Sequence, residues 1–170
     1  MKLPTLKNNK SGFTIIEVVL VLAIAGLIFL LVFLALPQLQ RSRRDTQRRQ
    51  DAGRILSALQ SYSSNNNGDY PESNGSAILK CTPAGTTPSN NTAYEVRVFA
   101  KNYLDKDDYC DPNGNEYYLH QSLADIRSYA TFIEYNKGRV CDGEDTVDGE
   151  PRNVAIIMPL EQGQFCQDNQ

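Results

Sequence analysis

The chain has 170 residues, with 41% hydrophobic and 22% charged residues and a formal net charge of −3. The average conceals a division: residues 1–54 carry nine Lys/Arg against three Asp/Glu, while residues 55–170 carry eight against seventeen. That split excludes a uniform soluble enzyme, a disordered chain and a multi-domain machine, and leaves a small acidic head on a membrane-seeking stalk.

A short polar leader with Lys2, Lys7 and Lys10 opens the chain. Residues 13–36 then form an apolar run of 24 residues with one ionisable group, Glu17. As a helix the run rises about 36 Å, enough to cross a hydrocarbon core of about 30 Å. A secretory signal peptide is the alternative, but its apolar region is shorter and ends in a small-residue cleavage site. Here Pro37-Gln38-Leu39-Gln40-Arg41 follows instead.

A carboxylate at mid-membrane costs about 2.5–3.5 kcal/mol, less near the interface. Glu17 therefore either stays wet at a shallow depth or waits for a positive partner. Leader lysines favour a cytoplasmic N-terminus, whereas Arg41, Arg43, Arg44, Arg48 and Arg49 form a stronger cluster on the other side. Counted naively the arginines would hold the head in the cytoplasm; the cysteines point the other way.

Residues Lys10-Ser11-Gly12-Phe13-Thr14-Ile15-Ile16-Glu17-Val18 resemble the class III leader junction of type IV pilins and pseudopilins. That resemblance implies cleavage by a prepilin peptidase between Gly12 and Phe13, N-methylation of Phe13, and Glu17 as the assembly residue. Side by side in a bundle, the Phe13 α-amine of one subunit could reach the Glu17 carboxylate of another. Such a pair recovers its desolvation cost only with good geometry, which would select the axial register of packing. The resemblance further implies self-association into a helical homopolymer, an assembly platform and an ATPase as partners. The precursor would sit in the inner (cytoplasmic) membrane with its N-terminus in the cytoplasm, and the assembled filament would be extracellular.

Pro37 lacks an N–H donor and is expected to kink or break the helix, with Gly26 a second soft point. Residues 37–64 should continue as a second helical segment. Its first part, QLQRSRRDTQRRQD, is polar on every side, so nothing in it seeks a core. Ala52, Ile55, Leu56, Leu59 and Tyr62 then form a stripe that can pack on a sheet. The arginines could neutralise phosphates, making DNA one conceivable partner. Lipid headgroups and the acidic heads of neighbouring subunits are the others, and a solvated helix face is the plainest reading.

Residues 65–93, rich in Asn, Ser, Thr, Pro and Gly, read as a connecting loop. A short helix is expected to end near Leu104, and strands over 116–121, 129–135 and 153–158. The expected fold class is α+β: a long N-terminal helix, membrane-spanning in its first half, packed on a small antiparallel, disulfide-bonded sheet. The domain boundaries follow as leader 1–12, span 13–36, amphipathic continuation 37–64 and head 65–170. The segment Asp111-Pro112-Asn113-Gly114-Asn115-Glu116-Tyr117 resembles the Asp-Pro-x-Gly-x-x-Tyr turn of many pseudopilins and some pilins.

All four cysteines, Cys81, Cys110, Cys141 and Cys166, follow the span, and with one histidine a zinc site is not expected. An even count outside the cytoplasm reads as two disulfides with three possible pairings. Cys81–Cys110 and Cys141–Cys166 close the shortest loops and are preferred. By the resemblance, the second is the counterpart of the C-terminal disulfide loop of pilins.

Asp142, Glu144, Asp145 and Asp148 crowd one Gly-containing loop, an oxygen-rich pattern that Ca²⁺ could use, although the spacing is not that of an EF-hand. No other cofactor is expected. His120 reads as a packed or surface residue. Absent too are a nucleophile elbow, a P-loop, a dinucleotide fingerprint and a zincin motif. Function is therefore expected to be structural: a pilin of a type IV pilus-like filament, with a type II secretion pseudopilin or a minor or competence pilin as the alternative. A single-pass anchored binding protein that never polymerises is the alternative from another class.

Overall fold

Helix α1 runs without interruption over Ile15–Asn65 in the computed structural model, which describes residues 12–72, 76–79, 81, 95–104, 109–121 and 131–170. The leader, residues 1–11, lies outside the described residues. Two compact units divide the chain, Met1–Gln40 and Arg41–Gln170.

In the first unit α1 is apolar on every side, and its large side chains are exposed from Ile15 to Leu39. Of the kink or break expected at Pro37, a break does not occur, and the helix also runs through the soft point at Gly26. Passing through Pro37 forfeits one hydrogen bond, to the Phe33 carbonyl, and costs about 3 kcal/mol. Ending the helix there would orphan several N–H and C=O groups instead of one. Continuity is the lesser cost.

In the second unit the 41–65 part of α1 packs on a sheet. Ala52, Ile55, Leu56 and Leu59 are buried, and Tyr62 is half-buried against Phe99 and Tyr103. The polar stretch before this stripe corrects the expectation that none of it seeks a core: Arg48 and Asp51 are buried too. At its far end the helix closes through Asn67 (φ 57°) and Gly68 (φ 93°), with the Gly68 N–H donating to the Ser63 carbonyl at 2.8 Å. Such left-handed positions favour Asn and Gly.

The remaining elements, in chain order, are β1 (Ser76–Ile78), α2 (Glu95–Phe99) continued by a π-helical turn (Ala100–Leu104), β2 (Tyr118–Gln121), β3 (Phe132–Lys137), β4 (Arg139–Asp142), β5 (Asp145–Asp148), β6 (Val154–Pro159) and β7 (Gln164–Asp168). β1 lies inside the stretch expected to be only a loop. β4, β5 and β7 were not expected as strands.

A five-stranded sheet has the order β1-β2-β3-β6-β7, and β4 pairs with β5 in a separate hairpin. The expected antiparallel sheet is in fact mixed, because β2 and β3 run parallel, with Leu119 opposite Ile133 and Gln121 opposite Tyr135. A parallel pair cannot be joined by a tight hairpin, and ten residues, 122–131, separate β2 from β3. Alternation puts Leu119, Ile133, Tyr135, Ile156 and Met158 on the α1 side, where they complete the core with Val96, Phe99 and Tyr117. The structure is α+β, with a long N-terminal helix packed on a sheet.

Disulfides join Cys81 to Cys110 and Cys141 to Cys166. The first ties the segment after β1 to the residue preceding the Asp111 turn, and the second ties β4 to β7. Loops of 29 and 25 residues would each contribute about 3–4 kcal/mol on the chain-entropy account.

Candidate functional site

The start of α1 is built by two residues, Thr14 and Glu17. Thr14 precedes the first helical residue and Glu17 stands three positions later, the arrangement of a capping box. The Thr14 N–H and hydroxyl both donate to Glu17 Oε2 at 2.8 Å, and the Glu17 N–H donates to Thr14 Oγ1 at 3.4 Å. Two otherwise orphaned helix donors are satisfied in this way. Glu17 is thus not idle in the isolated chain. Both of its hydrogen bonds use Oε2, so Oε1 carries none of them. Gly12 and Phe13 lie just before this cap, outside the helix and exposed, with Phe13 90% exposed. Gly12, Phe13 and Glu17 therefore fall within one short, accessible segment. Gly26 and Pro37 lie farther along the same helix.

A second constellation fastens the 41–65 part of α1 to the head; the sequence shows its Asp111–Tyr117 turn motif but not the hold of that turn on Arg48 and Asp51. Arg48 is 1% exposed. Its Nε donates to Asp111 Oδ1 at 2.9 Å and its Nη2 approaches the same oxygen at 2.9 Å. Glu161 and Asp45 stand at 3.5 and 3.6 Å from Nη1. Asp111 Oδ2 faces the other way, accepting the Asn113 N–H at 3.1 Å and the Asn113 Nδ2 at 2.9 Å. A turn results, closed by the Gly114 N–H on the Asp111 carbonyl at 2.7 Å, with Gly114 at φ 83° and Pro112 at the position a fixed φ favours. Tyr117, the last residue of the motif, is fully buried and donates its hydroxyl to Asp51 Oδ2 at 3.4 Å. The Asp-Pro-x-Gly-x-x-Tyr segment is thus a clasp on α1: one end holds Arg48 and the other holds Asp51.

Charge and burial compete within the clasp. Burial pushes the Asp51 carboxyl above its usual range although Arg54, at 3.1 Å, and the Tyr117 hydroxyl favour its charged form. Burial first, then the nearby Asp51 and Asp111 charges, raises the Tyr117 phenol. Around the rim, Arg44 donates to Glu161 at 2.9 Å and holds that carboxyl below its usual range. Arg49 lies over the Phe165 ring at 4.8 Å and Arg54 over Tyr109 at 4.4 Å. Arg44, Arg48, Arg49 and Arg54 have contacts within their own chain, although Arg49 and Arg54, like Arg41 and Arg43, are exposed. This corrects the expectation of a wholly solvated arginine face: Arg48 is buried and Arg44 half-buried, while Arg41, Arg43 and Arg49 stay exposed.

Asp142, Glu144, Asp145 and Asp148 belong to a β-hairpin turned by Gly143 (φ 65°), not to an open loop. Strand pleating sends successive side chains to opposite faces. Asp148 pairs with Arg139 at 2.8 Å, and Asp145 accepts from Gln164 Nε2 at 3.0 Å. Among the described residues no three His, Cys, Asp or Glu side chains converge to hold a metal. His120 is buried, edge-on to Phe132 at 5.7 Å, and burial lowers its pKa.

Residues 7–33 match the family described as the prokaryotic N-terminal methylation motif. The chain is a prepilin-like protein. Its motif is the class III prepilin type, typical of type IV pilins and pseudopilins, which are structural proteins rather than enzymes. No curated protein and no solved structure matches the chain. In this prepilin-like chain the matched segment spans the Thr14–Glu17 cap and most of the apolar run, and α1 is long and apolar enough to cross a membrane.

Proposed function

We propose that the chain is the precursor of a filament subunit, a type IV pilin, cut between Gly12 and Phe13, methylated on the Phe13 amine and polymerised through residues 13–36. The observation that carries this reading is a methylation motif running directly into a helix whose apolar surface the chain itself leaves uncovered. Lipid covers that surface in the precursor, and neighbouring α1 helices cover it in the filament. Prepilin peptidase, an assembly platform and an ATPase are the partners such processing and assembly need. Before processing the N-terminus is cytoplasmic and the disulfide-bonded head lies outside, where disulfides persist.

Cleavage after Gly12 creates an ammonium one residue before the helix cap. Glu17 Oε2 stays with Thr14, and Oε1 accepts from the Phe13 ammonium of a neighbour. Such a charge-assisted bond is shorter and stronger than a neutral one. Low dielectric heightens both the attraction and the penalty for a missing partner. The capping box thus presents the carboxylate in a fixed rotamer before assembly begins.

Glu17→Gln tests this reading. Membrane insertion and cleavage should be unchanged, while filaments counted by electron microscopy fall to a small fraction of the parent level. Undiminished filaments would refute the assembly role. A pseudopilin of a type II secretion system is the second reading, favoured by the Asp111–Tyr117 clasp, whose sequence resembles the turn of that group. It predicts loss of secretion without surface filaments when the chain is deleted.

A further inference from the structure

Where α1 ends, the head opens into a polar cleft that takes no part in the motif or the clasp. It encloses about 390 Å³ between the Asn67–Gly68 turn, the β5–β6 connection and the chain after β7. That volume lies within the range of small-molecule clefts, about 300–1,000 Å³. Gln60, Ser63, Asn67, Tyr70, Arg152 and Asn169 face it.

One wall is held rigidly. The Tyr70 hydroxyl donates to the Arg152 carbonyl at 3.0 Å, and Asn169 Nδ2 donates to the same oxygen at 3.1 Å. Asn169 Oδ1 in turn accepts the Val154 N–H at 2.9 Å. The first two bonds hold the Arg152 carbonyl, the third anchors Asn169 to Val154, and none uses the Arg152 side chain. Arg152 is exposed, its guanidinium has no hydrogen-bond or ion-pair partner among the described residues, and it is the one cation among the described lining residues. No carboxylate is among the described lining residues, although residues 41–170 carry fourteen Lys/Arg against nineteen Asp/Glu. An acidic head repels anions in general, so a cation-only cleft on it is a local exception.

Amide and hydroxyl side chains offer donors and acceptors together, matching the hydroxyls of a sugar ring. A guanidinium forks onto a carboxylate in a bidentate pair. We propose that this cleft binds a carboxylated sugar, a uronate unit of an acidic polysaccharide, with its carboxylate on Arg152 and its ring hydroxyls on Gln60 and Asn67. The cleft lies wholly within the 41–170 unit, and the proposal holds whether or not the chain polymerises.

The test titrates the ¹⁵N-labelled full-length chain, in detergent micelles, with tri-galacturonate. Maltotriose serves as a neutral sugar and tri-glutamate as an anion without a sugar. Saturable amide shifts are expected around residues 60–70, 152 and 169, with little response to either control. Arg152→Gln should weaken binding at least about tenfold, since a charge-assisted pair is lost. Arg152→Lys should recover part of it, and Gln60→Ala should cost several-fold. Because Arg152 braces the fold through its carbonyl, these variants keep the parent amide spectrum and both disulfides. No saturable shift, shifts elsewhere, unchanged affinity in Arg152→Gln, or equal binding of either control would overturn the proposal.

Discussion

The two parts of α1 invert the usual relation between hydropathy and burial. Residues 15–39 are apolar and exposed; within residues 41–65, Arg48 and Asp51 are among the most buried. The apolar part has no partner among the described residues, and on the proposed function it finds one in lipid or in other copies. The polar part already has its partner, because Asp111, Glu161 and Tyr117 meet its charges inside the head. On the proposed function, membrane and filament contacts are left to the first part, while the second part packs on the sheet of the head.

Removing one partner of the clasp should break this contrast most severely. Arg48→Met alone strands Asp111 in the interior and should lower unfolding free energy by about 3–5 kcal/mol in denaturant titration. Pairing it with Asp111→Leu should restore part of that loss, because no buried charge then remains uncompensated. A smaller effect is expected at the disulfides: Cys141→Ser with Cys166→Ser should cost about 2–4 kcal/mol while leaving membrane insertion intact.

At the other end of the helix, Thr14→Val removes the capping hydroxyl and should cost about 1 kcal/mol of local helix stability. Hydrogen exchange in micelles would report it as faster exchange confined to the first turn. The smallest effect concerns pH. Glu161 titrates below the usual carboxylate range, so its contribution is present above that range and fades as pH falls through its folded value. Glu161→Gln should flatten the acid limb of the stability curve by less than about 1 kcal/mol, because the pair with Arg44 is partly exposed. Asp51 has the opposite sign: burial raises it, so protonation relieves a cost in the folded state as pH falls.

Local patterns in the sequence were faithful guides where the physics is local. The stripe from Ala52 to Tyr62 identified the sheet-facing side of α1, and the cysteine count identified two disulfides. Arg48 was illegible because its partners Asp111 and Glu161 lie far along the chain, and a run such as QLQRSRRDTQRRQD looks solvated from every side. The Asp111 turn was visible as a motif, but not what it grips. Thr14 could have been found, since Thr-x-x-Glu before an apolar run is the sequence form of a capping box. The β4–β5 hairpin was hidden by its own composition, as Asp, Glu and Gly are poor strand formers. It is held by Arg139, which donates to Thr146 Oγ1 at 2.9 Å and to Asp148 at 2.8 Å, and by the Cys141–Cys166 bridge.

Mass spectrometry of the protein recovered from its own cells is the most direct test of how the first part of α1 acquires partners. A chain beginning at methylated Phe13, with both disulfides formed, is the predicted result. A chain that still carries residues 1–12 in the fraction containing assembled material would contradict it.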